Sequence, residues 1–319
     1  MSSAPWWLPT GHLQTIWASK MARDGTRGPI AWRRERIETP DGDFIDIDHQ
    51  TAPDPAAPLL VMFHGLEGSS QSHYARTAAA WAQRQGWNLA LPHFRGCSGE
   101  LNRMPRAYHS GDHAEIDFIL RHLTGQHRQR GGAVAQAVGI SLGGNALMLW
   151  AAVQGMAAAS VVQSVTSVCS PLDLSASGHA IGRGLNRLIY TPYFLRTMVP
   201  KAMAKLRQHP GLFDPDAMRR VTDLYQFDNL FTAPLHGFKN TEDYWLRASA
   251  KPRLRDIRIP AHIVNALNDP FIPAASLPTQ ADISPTCRLT YSPHGGHVGF
   301  VAGPWPPGHI SLDTWALGH

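Results

Sequence analysis

Short apolar runs that alternate with helical stretches are the feature that most constrains how this chain can fold. The runs typical of strands covered on both faces lie at 58–65 (PLLVMFHG), 86–96, 137–140, 161–171, 261–270 and 287–296. FIDIDHQ (44–50) instead alternates apolar and polar residues, as a half-buried antiparallel strand at a sheet edge would. Strands separated by helical segments form βαβ units. The sequence therefore predicts an α/β fold with a mostly parallel central sheet flanked by helices.

One segment interrupts this alternation of strands and helices and predicts an insertion. Residues 175–250 hold a Gly-rich start, two helical stretches that carry basic residues, and an aromatic stretch, LYQFDNLFTAPLHGFKNTEDYW, that reads as a loop. The segment is too long for an ordinary strand-to-helix connection, so we expect a helical cap above the sheet. The predicted organisation is one catalytic domain, with an N-terminal arm at 1–40, core segments at 41–174 and 251–319, and the cap at 175–250.

Charge patterning argues against a nucleic-acid partner. The chain has a formal net charge of +5 but no run of five like charges. The basic excess lies between residues 175 and 220, a segment that contains eight Lys and Arg residues but only two acidic residues, Asp214 and Asp216. This basic excess predicts peripheral contact to anionic lipid through the cap. Leu185, Leu188 and Phe194 belong to an amphipathic helix in this cap, whose apolar residues either pack in the core or line an acyl tunnel.

Cysteine usage and the N-terminus indicate a cytoplasmic protein without a metal centre. Cys97, Cys169 and Cys287 are far apart and lack the spacings of a disulfide framework or a zinc site. The N-terminus lacks the pattern of a signal peptide, and no run reaches about 18 uninterrupted apolar residues. We expect no cofactor and no metal.

The stretch AVGISLGGNAL (137–147) predicts a nucleophile elbow. Ser141 follows a strand end and precedes a helix, so it lies on a sharp turn that exposes its hydroxyl. Such a turn brings backbone segments together, which requires small residues at Gly139, Gly143 and Gly144. The alternative is a serine in an ordinary Gly-rich loop. The strand-turn-helix context favours a nucleophile.

A serine nucleophile needs a histidine base and an acid that orients the histidine. Asp269 follows the strand at 261–270 and His297 follows the last strand, so the carboxyl ends of parallel strands would bring both toward Ser141. Asp173 is the alternative acid and His294 the alternative base. The predicted catalytic residues are Ser141, Asp269 and His297.

The loop HGLEGSS (64–70) follows the strand LLVMF and predicts an oxyanion hole. We expect the backbone N–H groups of Leu66 and Leu142 to stabilise the developing negative charge, while Gly65 keeps the approach to Ser141 open. The stretch HFRGCSGE (93–100) is expected to support the site from beneath. Cys97 is not expected to be a nucleophile, because no base is placed for it.

Several motifs in order resemble the YheT-like branch of the α/β-hydrolase superfamily. They are PWWLPTGHLQTIW (5–17), HGLEGSS, FRGCSGE, GISLGGN, FDNLFTAP, NDPFIP (268–273) and HGGHVGF (294–300), and they span nearly the whole chain. The resemblance implies an α/β-hydrolase fold and a Ser–Asp–His triad that acts on carboxylic esters, including lipid-like acyl groups in some relatives. It implies the triad roles for Ser141, Asp269 and His297. The PWWLP arm either lines the site or packs under the cap.

The sequence thus predicts a serine esterase or lipase-like hydrolase that forms an acyl-enzyme on Ser141 and takes a small-molecule or lipid ester as its substrate. The alternative is an acyltransferase or ester synthase that uses the same triad with an alcohol acceptor, and His49 and Asp54 fit an H-x4-D pattern that more often arises by chance. A non-catalytic binding protein of the same fold typically lacks a triad member, whereas all three positions are filled here.

Overall fold

The computed structural model describes residues 5–26 and 28–311. The first residues of the predicted N-terminal arm, residue 27, and the final residues 312–319 of the predicted second core segment lie outside the described residues.

An eight-stranded sheet forms the centre of the described part of the chain. Its strands are β1 (Arg33–Glu38), β2 (Phe44–Gln50), β3 (Leu59–Phe63), β4 (Asn88–Pro92), β5 (Ala135–Ile140), β6 (Ser164–Val168), β7 (Ala261–Ala266) and β8 (Cys287–Ser292). The spatial order is β1-β2-β4-β3-β5-β6-β7-β8. The pairs β1–β2 and β2–β4 are antiparallel, and the remaining pairs are parallel. The predicted α/β class and mostly parallel sheet are confirmed.

The predicted edge position of FIDIDHQ is wrong. This segment is β2, which is buried along most of its length because β1 covers its outer side. The sequence of β1, RRERIE, is dominated by charge, so it carries no apolar strand signal. Its arginines form cross-strand ion pairs at 2.7 Å, Arg34 with Asp48 and Arg36 with Asp46. The partners on β2 therefore explain a strand that the pattern of β1 alone does not reveal.

Helices cover both faces of the sheet. They are α1 (Gly11–Lys20), α2 (His73–Gln85), α3 (His113–Gln129), α4 (Leu142–Gln154), α5 (Leu174–Ile181), α6 (Gly184–Gln208), α7 (Pro215–Arg219), α8 (Leu224–Phe227), α9 (Ala233–Leu235) and α10 (Thr241–Ala248). A short two-stranded sheet, β9 (Val301–Ala302) with β10 (His309–Ile310), follows the main sheet.

Alternate residues of the strands belong to two different buried clusters. On β3, Val61 and Phe63 pack with α3 and α4, whereas Leu60 and Met62 pack with α2. Because successive strand side chains point to opposite faces, the sheet has an apolar core on each side. Two-sided burial explains why the central strands read as continuous apolar runs.

The connection between β6 and β7 is helical and contains α5 to α10. The aromatic stretch predicted as a loop is helical instead, with a π-helical turn at Asp228–Thr232 between α8 and α9. Its aromatic residues pack at helical spacing, as in the 5.3 Å contact between the rings of Phe227 and Phe231. Within residues 5–26 and 28–311, no helix combines the length and apolar character that a membrane span requires.

Candidate active site

Ser141 occupies a strained turn between β5 and α4. Its φ of 52° and ψ of −120° lie in a region that residues with a side chain rarely adopt. The turn is held by a hydrogen bond from Ser141 N to Val168 O on the neighbouring strand, at 2.9 Å. The hydroxyl is therefore presented at the carboxyl ends of the parallel strands.

The glycines predicted around Ser141 lie where backbone segments meet. A Cβ on Gly143 would lie 2.5 Å from His64 O, and one on Gly139 would overlap the Cα of Gly144. A Cβ on Gly144 would overlap the hydroxyl of Ser170, and one on Gly65 would lie 3.1 Å from the Ser141 Cβ. Larger residues at these positions would push the loops apart.

The structure brings Ser141, His297 and Asp269 into one hydrogen-bonded chain. His297 Nδ1 lies 2.9 Å from Asp269 Oδ2, and His297 Nε2 lies 2.9 Å from Ser141 Oγ. Because a carboxylate can only accept, Nδ1–H donates to Asp269, which leaves Nε2 to accept the Ser141 O–H. The Asp269 carboxyl group is fully buried, whereas the imidazole is 12% exposed. Asp269 Oδ1 also accepts from Phe271 N at 2.8 Å, which fixes the carboxylate.

The alternative acid and base lie elsewhere. The Asp173 side chain accepts from Ala176 N at 3.0 Å and caps the N-terminus of α5. His294 is exposed on its loop. Neither residue belongs to the hydrogen-bonded chain that contains Ser141.

Helix α1 connects the loops that carry Asp269 and His297. Gln14 is buried, and its Oε1 accepts from Gly295 N at 2.8 Å and from Asn268 Nδ2 at 3.0 Å. Its Nε2 donates to Leu8 O at 2.8 Å, which fixes the orientation of the amide. The side chain thus bridges the loop before Asp269 and the loop before His297.

Thr15 makes the second contact between α1 and the histidine loop. Its hydroxyl accepts from His297 N at 2.8 Å and donates to Gly11 O at 2.7 Å. Sequence reasoning left the role of the N-terminal arm open. The available signal was a pair of neighbouring polar residues, Gln14 and Thr15, between the apolar residues Leu13 and Ile16, since buried polar groups are normally hydrogen-bonded.

The predicted oxyanion loop is held from behind by His64. Its Nδ1–H donates to Gly65 O at 2.7 Å, and its Nε2 accepts from Phe94 N at 3.0 Å. Complete burial lowers the pKa of His64 to about 3, so the imidazole is neutral, as these two bonds require. Among the described residues, the N–H groups of Leu66 and Leu142 have no hydrogen-bond acceptor.

Glu67, the next residue of this loop, is fixed by two side chains. Its φ of 55° is unusual for a residue with a side chain. The Tyr108 hydroxyl accepts from Glu67 N at 3.0 Å and donates to Glu67 Oε1 at 2.9 Å, and Lys201 of α6 forms an ion pair with Oε2 at 2.9 Å. The helical connection is therefore bonded directly to the loop beside Ser141. This arrangement was not evident from the sequence.

Two adjoining cavities lie between the sheet edge and the helical connection. One, of about 100 Å³, reaches Ser141 and is lined by apolar residues that include Ile181 and Phe194. The other, of about 70 Å³, extends toward Lys201 and Lys205. The residues that line both cavities are Leu66, Leu142, Met198, Asp228 and Tyr244. The pocket that reaches Ser141 is therefore predominantly apolar and small beside the roughly 300–1,000 Å³ of ordinary ligand sites.

Asp228 contributes a buried carboxyl group to both cavities. Burial raises its pKa to about 6, against hydrogen bonds from Thr232 and Trp245 that favour the charged form. The motif FDNLFTAP singled out this stretch in the sequence, but no pattern there indicated a position beside the cavity.

The stretch HFRGCSGE supports the sheet edge through Arg95, whose buried guanidinium contacts Asp41, Asp43 and Glu115. Burial raises the pKa of the Cys97 thiol to about 12, so this cysteine is protonated and unsuited to nucleophilic attack. Across the described part of the chain, no group of three His, Cys, Asp or Glu side chains could hold a metal ion.

A strand-turn-helix serine linked to a histidine and a buried aspartate, on a sheet of this topology, defines the α/β-hydrolase class. A sequence profile described as "alpha/beta hydrolase fold" matches residues 58–304, and the chain belongs to this family. An Escherichia coli protein named "Putative esterase YheT" is 38% identical over 296 residues, which cover 92% of this chain and 84% of that protein. The predicted relation to the YheT-like branch is confirmed.

More distant comparisons agree with this assignment. Human "Phospholipase ABHD3" is 27% identical over 96% of this chain and 75% of its own length. Among solved structures, the Pyrococcus furiosus esterase Pf2001 superposes with a TM-score of 0.54 at 13% identity, covering 88% of this chain and 92% of that one. At 13% identity, the superposition on Pf2001 shows a shared fold and nothing about activity.

Proposed function

We propose that this protein is a serine carboxylic ester hydrolase. The observation that carries the proposal is the hydrogen-bonded chain from Ser141 through His297 to the buried Asp269. Similarity to proteins named esterase and phospholipase supports the same class of reaction. The reaction needs no group beyond the side chains and backbone amides of the site.

The first half of the reaction forms an acyl-enzyme. His297 Nε2 takes the proton of Ser141 Oγ, which attacks the ester carbonyl, while Asp269 orients the imidazole and stabilises its charged form. The N–H groups of Leu66 and Leu142 receive the oxyanion. His297 then returns the proton to the alcohol oxygen as the ester bond breaks.

The second half hydrolyses the acyl-enzyme. Water gives a proton to His297 Nε2 and attacks the acyl carbonyl, and the same N–H groups stabilise the second oxyanion. Collapse of this intermediate releases the acid, and His297 restores the proton to Ser141. The enzyme returns to its starting state.

The apolar cavity beside Ser141 suits the acyl group of the ester. The helices between β6 and β7 form its outer wall, so this segment serves as a cap. Met198 of α6 lines both cavities, and its size limits how far an acyl chain extends from Ser141 into the second cavity. The proposed substrates are therefore carboxylic esters of moderate acyl length, including lipid esters.

Met198→Ala is expected to shift the preference toward longer acyl chains. Loss of the Met198 side chain opens the path from the first cavity into the second. Met198→Trp is instead expected to block that path and to restrict turnover to the shortest esters. The measurement is kcat/KM for p-nitrophenyl acetate, butyrate, octanoate and palmitate. Leu246→Ala, at an exposed position of α10, is the control and should keep the wild-type profile. Identical profiles for all variants would contradict this assignment of the acyl site.

Acyl transfer to an alcohol is the alternative use of the same triad. The H-x4-D residues do not support it, because His49 lies on β2 beside Glu35 of β1 and does not line the cavity of Ser141. Product analysis with and without added short-chain alcohol tests the proposal. Free acid as the main product in both cases supports hydrolysis, whereas predominant new ester at low alcohol concentration would favour transfer.

Gln14→Ala is expected to lower kcat by about 10²-fold, because small displacements of reacting groups have effects of that size. The substitution removes the acceptor shared by Gly295 N and Asn268, so the acid and base loops lose their common support. KM should change little, since Gln14 does not line the cavity. Ser19→Ala, on the exposed side of α1, is the control. Equal loss of kcat in both variants, or no loss in Gln14→Ala, would contradict a positioning role.

A further inference from the structure

An exposed apolar surface lies on the adjoining sides of α1 and α6. On α6 it contains Leu188 and Tyr193, which are 74% and 50% exposed, together with Leu185 and Ile189. Next to them, α1 exposes Leu13 and Ile16. We call this surface the α1–α6 face. Monomeric proteins rarely leave so many large apolar side chains together in water without a use for them.

Contacts between the two helices make the face continuous. The Lys20 ammonium lies 5.5 Å from the centre of the Tyr193 ring, and His12 Nδ1 lies 3.2 Å from the Tyr190 hydroxyl. On α1, Ile16 lies one turn from both His12 and Lys20, so it is on the side of α1 that contacts α6. On α6, Leu185, Ile189 and Tyr193 follow one another at i, i+4 spacing and form a single stripe.

The charge of the α1–α6 face has one sign. Neither residues 5–23 nor residues 174–213 contain Asp or Glu. Two exposed cations lie against Tyr193 of the stripe, with the Lys20 ammonium 5.5 Å and the Arg196 guanidinium 5.8 Å from the centre of its ring. Arg183 and Arg187 are also exposed at the start of α6. An apolar stripe bordered by cations alone complements an anionic surface with an apolar interior.

The α1–α6 face adjoins the catalytic site. The centre of the Phe271 ring lies 4.3 Å from that of His297 and 4.5 Å from that of Tyr190. Phe194, which lines the cavity that reaches Ser141, packs against Phe271 and Tyr193. Phe194 and Phe271 therefore connect the exposed Tyr193 with His297 through a series of ring contacts.

We propose that the α1–α6 face docks the protein on anionic phospholipid bilayers, from which the ester substrate enters the cavity beside Ser141. Leu188, Ile189 and Tyr193 enter the boundary between headgroups and acyl chains, while Lys20 and Arg196 contact lipid phosphates. A second copy of the chain fits this surface poorly, because a symmetric contact would set cations against cations. The role in substrate delivery rests on the proposed function, whereas docking itself does not.

The test is co-sedimentation with vesicles of phosphatidylcholine alone or with about 30% phosphatidylglycerol. The wild type is expected to bind the anionic vesicles and not the neutral ones. Lys20→Glu with Arg196→Glu should weaken binding by at least about fivefold for each cation removed. The double variant Leu188→Ser with Tyr193→Ser should also weaken vesicle binding, because its side chains no longer insert into the apolar part of the bilayer. Lys239→Glu with Leu246→Ser, exposed cationic and apolar positions on another surface, is the matched control.

The Tm of each variant, Ser141→Ala included, verifies that it is folded and does not depend on turnover. Ser141→Ala should bind vesicles as the wild type does, so a failure of the proposed chemistry leaves the docking measurement intact. Equal binding to neutral and anionic vesicles, absence of binding, or equal loss in the control variant would overturn docking. Self-association that the face variants abolish, without vesicle binding, would overturn it in favour of a second copy.

Discussion

Ser141→Ala is expected to lower kcat for ester hydrolysis by a factor on the order of 10⁴ to 10⁶, which is the loss that removal of a triad nucleophile produces. Without Oγ, no covalent acyl-enzyme forms, while the cavity and the N–H groups proposed to bind the oxyanion remain. The fold should be retained, because alanine meets the same strained backbone angles as serine at this turn. The measurement is kcat for p-nitrophenyl butyrate, with Tm and fluorophosphonate labelling on the same preparations.

Ser177→Ala is the matched control for this experiment. Ser177 lines the same cavity, is buried, and has no hydrogen-bond partner for its hydroxyl among the described residues. The variant should therefore keep both turnover and labelling. Labelling of Ser141→Ala at the wild-type rate would contradict the assignment of the nucleophile.

Asp269→Asn is expected to lower kcat by about 10⁴-fold. An amide in place of the carboxylate favours the wrong imidazole tautomer and cannot stabilise the imidazolium that forms when His297 takes the Ser141 proton. KM should change much less than kcat, because Asp269 is fully buried behind the histidine and does not line the cavity. The measurement is the separate determination of kcat and KM for p-nitrophenyl butyrate.

Asp173→Asn distinguishes Asp269 from Asp173, the two residues that the sequence allows as the triad acid. Asparagine caps a helix about as well as aspartate, so this variant should retain both stability and turnover. A large loss of kcat in Asp173→Asn, with little loss in Asp269→Asn, would reverse the assignment of the triad acid.

The parts of the fold that could be predicted are those that depend on residues close together in the sequence. The central strands are apolar on both faces, and the glycines beside Ser141 mark the turn that follows β5. Chain order then leads from Ser141 to Asp269 and His297, because parallel strands end at a common edge. The geometry of these three side chains agrees with that reasoning, while their catalytic roles stay predictions for the variants above.

The parts that escaped prediction depend on partners distant in the sequence. The charged strand β1 is explained by aspartates on β2, which in turn places β2 inside the sheet instead of at its edge. Gln14 acts on loops that follow β7 and β8, and Lys201 acts on the loop that follows β3. The aromatic stretch around Phe227 also packs against a separate segment, since the ring centres of Phe213 and Phe231 lie 5.7 Å apart. No local pattern specifies such contacts.

The bridge from Gln14 to Gly295 also sets the order in which the site is completed during synthesis. The two residues are 281 positions apart, which corresponds to a delay of roughly 14–56 seconds at about 5–20 residues per second. Ser141 is synthesised 156 positions before His297, so a nascent chain that ends between them carries the serine without its proposed base. The proposed triad and the contact of Gln14 with the histidine loop are therefore both completed only after β8 has been synthesised.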